Sequence, residues 1–347
     1  MGRQLNDRAY MQALLPVADG AFGIKSATST GHAGFVASSV GSFQLQKQMA
    51  GREDYTHRPE TQQALDKINS TSNLSLTLDE ILSPQNGKPQ SFLSKKITKC
   101  MVESFDAGLK GRSLVKLHSI RKGASLVLGS IPNRSLGTYL TNSQWKTLAL
   151  LLLDLEVMPG GNKCEACGDR LDNLGIHALS CKGKGGGMHT RHEKVGEALT
   201  KIFRYAEMAC KWETKGLVPG TQQRPADILL PVSEDGRPEA IDVTVRHCCN
   251  VSAKTAYLKD PEAVQLAAVK EKEQKYSSLE QDGITFHAFA LDVYGQIHSD
   301  AAEILERAAH YAAVNKGEDY VVLLRRFRLM IHAALFKQVV QMIQVRG

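Results

Sequence analysis

No stretch of this 347-residue chain stays apolar long enough to cross a bilayer. The best run, TLALLLLDLEVM, is short and broken by acids, whereas a spanning helix needs about 20 apolar residues. No membrane partner is therefore expected. The opening MGRQLNDRAYMQALLPVADG lacks the apolar core of a secretory signal, which points to an intracellular compartment where thiols stay reduced, metal-bound or buried. Internal repeats are absent, as is any dense basic targeting run. Charge of one sign is only mildly in surplus: 43 Lys and Arg against 36 Asp and Glu, for a net charge of +7. That balance permits a phosphate-rich partner without requiring one. Hydrophobic content of 42% and charged content of 23% are ordinary for a globular chain, long enough for two domains or for one with appendages.

What is present changes character along the chain. Residues 1–157 read as a mostly helical region, interrupted at about 51–90 by a polar segment expected to be a linker. Pro159-Gly160-Gly161 ends it. In residues 190–209, Val195, Leu199, Ile202, Phe203 and Ala206 share one helical face. Three strand candidates follow: KWETKG, ADILLPV and EAIDVTV. In the last, Ile241, Val243 and Val245 face one way, with Asp242 and Thr244 on the other side. A helix over 254–281, a strand at ITFHAFALDV and a helix over 296–314 come next. A final amphipathic helix, 319–344, carries Arg325, Arg326 and Arg328. The divisions are thus 1–157, a Cys/His knuckle at 160–185, an α/β domain at 186–315 and a C-terminal helix at 316–347.

Three of the seven cysteines lie in CEACGDRLDNLGIHALSC. Cys164, Cys167, His177 and Cys181 form Cys-x2-Cys-x9-His-x3-Cys, the ligand number and types of a closed tetrahedral zinc site. Gly168 permits the tight turn that the first pair needs. Four protein ligands leave no open position, so the metal would be structural. The plainer alternative is a group of thiols that merely lie close together. His247-Cys248-Cys249 is not expected to form a second site, because adjacent cysteines on a strand end point to opposite faces.

Asp227 begins one strand and Asp242 falls fifteen residues later in the next. Antiparallel pairing through the SEDGRP turn would bring the two carboxylates together, which is costly unless a cation sits between them. A bridging divalent ion could orient a scissile phosphate and activate water. Glu213, in the weak strand before them, is a third candidate acid. The alternative is two strand-end acids that reach solvent or pair with Arg224 and Arg237. The lysine expected two residues after the second acid is missing, since that position is Thr244. Lys272 and Lys275, one helical turn apart in VKEKEQKY, are the substitute cations.

The knuckle, then RH, RPAD, DVTV and KEQKY in that order, resembles the C-terminal part of early-branching non-LTR retrotransposon polyproteins. There a zinc knuckle precedes a restriction-like endonuclease of the PD-(D/E)xK fold, with an αβββαβ core. The resemblance covers about 164–290. It implies metal ligation by Asp227 and Asp242, with Ala226 intervening between Pro225 and the acid, and phosphate assistance by Lys272 and Lys275. Arg191 and His192 match the RH element. With Lys182, Lys184 and Arg224 they would contact nucleic acid. Upstream, LPVADGAFGIKSATSTGHAGFVASS, GASLVLGSIP and LLLDLEV are similar to the segments between polymerase palm and knuckle. The palm's paired aspartates are absent, so no reverse transcription is expected. The resemblance implies structural Zn, catalytic Mg or Mn, a DNA substrate with RNA as the alternative, and a nuclear location. A nucleic-acid-binding remnant without turnover, or a captured host protein acting through protein contacts, stands beside the nuclease reading.

Overall fold

The computed structural model describes residues 4–185, 187–212, 226–233, 236–249, 251–260 and 262–346. They form two compact units that divide between Leu109 and Lys110.

The described part of the first unit is helical. Ala27–Gly41, Pro59–Ser72 and Pro89–Ala107 are its longest helices, and they enclose a core that includes Val36, Val40, Leu65, Ile81 and Leu93. The polar segment 51–90 is therefore no linker along its length. Thr61, Ala64, Leu65 and Ile68 are buried on Pro59–Ser72. Their i, i+3, i+4, i+7 spacing is a narrow apolar stripe that the surrounding Gln, Asp, Lys and Asn residues mask in composition. Thr77 and Glu80 then form a capping box on Leu78–Leu82.

The second unit holds the sheet. Numbered from Lys110 onward, its helices are α1 (Arg112–Lys122), α2 (Asn142–Leu152), α3 (Ile176–Ser180), α4 (Met188–Tyr205), α5 (Val251–Lys259), α6 (Ala263–Lys275), α7 (Ser299–Lys316) and α8 (Tyr320–Gln344), with single turns between some of them. Strands β1 (Lys211–Trp212), β2 (Ile228–Leu230), β3 (Glu239–Arg246) and β4 (Thr285–Asp292) form one mixed sheet in the order β1-β2-β3-β4. The first two pairings are antiparallel and β3·β4 is parallel. A parallel pair needs a long crossover, and α5 and α6 supply it. From α4 onward the order is helix, three strands, helices, strand, helix, as the sequence patterning predicts. The single helix expected over 254–281 is instead broken after Lys259 and again at Tyr276.

β3 is buried on both faces up to Val245, because α4 and α6 both pack on it. Asp242 and Thr244 thus lie inside, not on a solvated face. The expected boundary at 157 gives way to one at 109, since 110–157 belongs to the sheet unit. Buried polar ties join the two ends of this segment to each other at Asp154 and join it to β4 through Ser119. Asp154 accepts from Ser113 at 2.9 Å and from Lys116 at 3.1 Å, with Arg112 at 3.3 Å. Burial would raise its carboxyl, yet the Lys116 and Arg112 charges hold it well below the usual carboxylate range. Asp292, at the end of β4, is fully buried and accepts from the Ser119 hydroxyl at 2.5 Å and from the Tyr294 and Gln296 amides.

At the end of α1 the backbone of Gly123 touches the turn after β4. A Cβ at Gly123 would stand 2.2 Å from the Gly295 carbonyl carbon and 2.4 Å from the Tyr294 oxygen. These are backbone atoms on both sides, so neither can rotate away. Gly123→Ala is expected to cost about 3 kcal/mol or more, read as a fall in thermal midpoint of roughly 6–12 °C.

Candidate metal centre and active site

The knuckle is a short hairpin followed by α3. Gly161 N donates to Leu171 O, and Leu171 N to Asn162 O. At its tip the chain turns on Gly168, whose φ of +81° is the left-handed conformation the sequence requires there. Asp172 caps α3, accepting from the Ile176 amide at 3.0 Å and the His177 amide at 2.6 Å, which fixes where His177 points. The Cys164 and Cys181 sulfurs lie 3.7 Å apart, Cys167 Sγ is 3.3 Å from His177 Nε2, and all four ligand atoms fall within 4.8 Å of one another. A zinc tetrahedron with bonds of about 2.3 Å to sulfur and about 2.0 Å to nitrogen has edges of about 3.8 and about 3.5 Å. Donor set and spacing therefore fit a metal such as zinc. Burial opposes ionisation of the Cys164 thiol, but the amides of Ala166 and Cys167, with His177, bring it down to about 6.

The acids meet as the strand pairing dictates. Asp227 N donates to Ile241 O at 3.0 Å, and Asp227 Oδ2 accepts from Val243 N at 2.6 Å, so this residue brackets Asp242 on the neighbouring strand. Its other oxygen lies 2.9 Å from His192 Nε2 on α4. Burial lowers the imidazole's proton affinity, but the hydrogen bond and charge of Asp227 outweigh it, so His192 is held above its usual value. From the opposite face α6 brings Lys272 Nζ to 2.8 Å from Asp242 Oδ2. That oxygen is enclosed and has no hydrogen-bond donor in line among the described residues. The ammonium is thus an ion-pair partner set off the hydrogen-bond direction. Burial, then the charge of Asp227, raises the Asp242 carboxyl despite Lys272.

Lys275 sits one turn along α6, its Nζ 4.7 Å from the centre of the Tyr276 ring. Its contact with Tyr276 raises its proton affinity. Lys182 and Lys184 are exposed on the stretch after the knuckle. Glu213 and Arg224 lie outside the described residues. His189 is exposed beside Glu193. Cys248 and Cys249 lie in a turn past the end of β3, so their sulfurs approach to 3.8 Å instead of facing apart.

Two of the residues expected to contact nucleic acid have partners within the protein. His192 turns inward to Asp227. Arg191 is 1% exposed, and its guanidinium donates to the Leu179 carbonyl at 3.0 Å. It pins the knuckle to the start of α4, and burial pulls its proton affinity down to about 10. Periodicity could have found this, since Arg191 precedes Val195 by one helical turn on the buried face. Arg191→Ala is expected to lower stability by about 2–4 kcal/mol in chemical denaturation. It should leave the salt dependence of any nucleic-acid binding unchanged, which a surface contact would not.

No helix among the described residues is long and apolar enough to cross a membrane. No protein-family model matches the chain, and no curated protein sequence does.

Proposed function

We propose that the sheet unit is a metal-dependent endonuclease of the PD-(D/E)xK kind, related to the nicking domain of non-LTR retrotransposons, and that it cuts DNA, in the nucleus. The observation that supports this most is the convergence of Asp227 and Asp242 on paired strands with Lys272 from the helix behind them. The buried Oδ2 of Asp242 has the Lys272 ammonium at 2.8 Å, off the hydrogen-bond direction, so this acceptor lies where positive charge is favoured. Asp227 and Asp242 would hold Mg²⁺ or Mn²⁺, which when bound polarises a phosphoryl oxygen and acidifies a water. The chain does the rest. His192 and the Val243 amide fix the Asp227 carboxylate, so its position costs no reorganisation during reaction. Lys272 carries a positive charge beside Asp242, where charge develops on a phosphate. Lys275 adds a second cation one turn away. Lys182 and Lys184 supply contacts to the phosphate backbone.

The test is nicking of supercoiled plasmid with Mg²⁺ supplied or withheld, beside Asp227→Asn. EDTA is avoided because it would also strip the knuckle. Nicking that requires Mg²⁺ and vanishes in Asp227→Asn is the expected result. Absence of Mg²⁺-dependent nicking in the folded, zinc-loaded protein overturns the proposal and leaves a binding module.

A further inference from the structure

A second cationic surface lies away from the acids. α4, α8 and the loop before α2 enclose a groove of about 370 Å³. Its walls carry Arg134, Lys194, Lys201, Arg326 and Lys337, with Glu197 as the one acid. Glu197 is taken by Lys194 at 2.7 Å. The other four cations have no carboxylate partner among the described residues. Two lie over rings: the Arg134 guanidinium carbon is 4.8 Å from the centre of Tyr139 and that of Arg326 is 4.5 Å from the centre of Tyr205. Such a contact orients the guanidinium while leaving its N–H groups for a ligand.

Position around α4 separates this groove from the acids. At 100° per residue, Lys194 and Lys201 stand about 160–180° from His192. A helix with side chains is about 10–12 Å across, so nothing seated in the groove touches Asp227 directly. The cations are spread along the groove walls: Lys194 to Lys201 runs about 10 Å along α4, and Arg326 to Lys337 about 16 Å along α8.

We propose that this groove holds the sugar–phosphate backbone of a single nucleic-acid strand, outside the cleavage site. A groove whose walls carry five cations and one acid matches a chain with one negative charge per residue. A groove of this volume holds a short stretch of one strand. The exposed Tyr139 ring beside Arg134 offers a stacking surface that every base can use. A bilayer surface cannot follow a concave slot floored by Ala333, Ala334 and the Gly137 backbone. The assignment does not rest on the chain being a nuclease, since binding needs neither acid.

Binding is measured by fluorescence anisotropy with a labelled single-stranded oligonucleotide, as DNA and as RNA. The protein is the full chain carrying Asp227→Asn, without added divalent ion. Lys201→Glu with Lys337→Glu is expected to weaken binding by about 30-fold at low salt. It should also flatten the log–log salt slope by roughly 1.4, for two phosphate contacts of about 0.7 each. Lys122→Glu with Lys259→Glu, which changes the net charge equally at other exposed sites, should weaken it by no more than about 3-fold. Should the charge reversals disturb folding, Lys194→Gln with Lys201→Gln on the exposed face of α4 is expected to cost about 10-fold. Equal loss in groove and control variants overturns the proposal. So does capture by phosphatidylserine vesicles with no oligonucleotide binding. The relative affinity for DNA and RNA says which strand is held. Failure to nick plasmid while the groove variants still lose binding would sink the nuclease reading alone.

Discussion

Asp242→Asn is expected to reduce Mg²⁺-dependent nicking by at least about 1,000-fold, roughly 4 kcal/mol of transition-state stabilisation, with no loss of folding. The asymmetry follows from where the carboxylate lies. It is buried between β3 and α6 with a raised proton affinity, so its charge is a net cost to the folded chain despite the Lys272 ammonium beside it. The sign for stability follows. Asp242 binds its proton more tightly folded than unfolded, so stability falls as pH rises from the ordinary Asp value near 3.9 through the folded value. Asparagine removes that penalty, and its thermal midpoint at neutral pH should equal or exceed that of the unsubstituted chain. For nicking the sign is reversed, because only the ionised carboxylate takes a metal ion. Activity should fall on acidification at a pH above that of an ordinary Asp. Lys272→Met, which deletes the one charge at 2.8 Å that favours ionisation, should move that limb upward and cost about 100–1,000-fold. A limb unmoved by Lys272→Met would show that Asp242 does not set the profile.

Removal of metal from the knuckle, by chelation or by Cys164→Ser, is expected to destabilise the sheet unit by at least about 3 kcal/mol. Isolated zinc fingers draw about 10–16 kcal/mol from the metal and do not fold without it. Here α3, which carries His177, is held by other contacts as well, so the loss should be smaller. The Ala178 carbonyl accepts from Arg346, and Leu179 from Arg191. A knuckle without metal would bring two thiols within 3.7 Å with nothing between them. Because Arg191 directly precedes His192, slackening at Leu179 should reach the Asp227 carboxylate. A 10–100-fold loss of nicking is expected, about what an indirect ligand support is worth. Metal content, thermal midpoint and rate are measured on the same preparation. Cys167→Ser should behave alike, since it removes one of the four ligands. Bound zinc at one equivalent per chain is the positive outcome, and a metal-free chain with an unchanged midpoint would exclude a structural role.

The knuckle was legible because a metal site writes itself into spacing: four ligands and the tight turn at Gly168 within eighteen residues. The α4–β4 order was legible too, since apolar periods of 3.6 and 2 survive in Val195–Ala206 and in EAIDVTV. Other features were hidden by averaging. Thr61, Ala64, Leu65 and Ile68 make a core stripe inside a segment whose composition reads as a linker. The two breaks between residues 259 and 278 carry no glycine and only one proline, Pro261.

By itself the sequence determined which chemistries are available: a Cys₃His donor set, two acids on candidate paired strands and a pair of lysines one helical turn apart. Tertiary packing decided which of them meet. It chose Lys272 over Lys275 as the charge on Asp242: Lys272 Nζ lies 2.8 Å from the carboxylate, whereas Lys275, the last residue of α6, lies over the Tyr276 ring. It set the His192 imidazole against Asp227. It buried Arg191 beneath the knuckle and lined Arg134, Lys194, Lys201, Arg326 and Lys337 along one groove. Those five come from three segments far apart in the chain. No local period records such distances, because they depend on how helices cross and not on how they repeat.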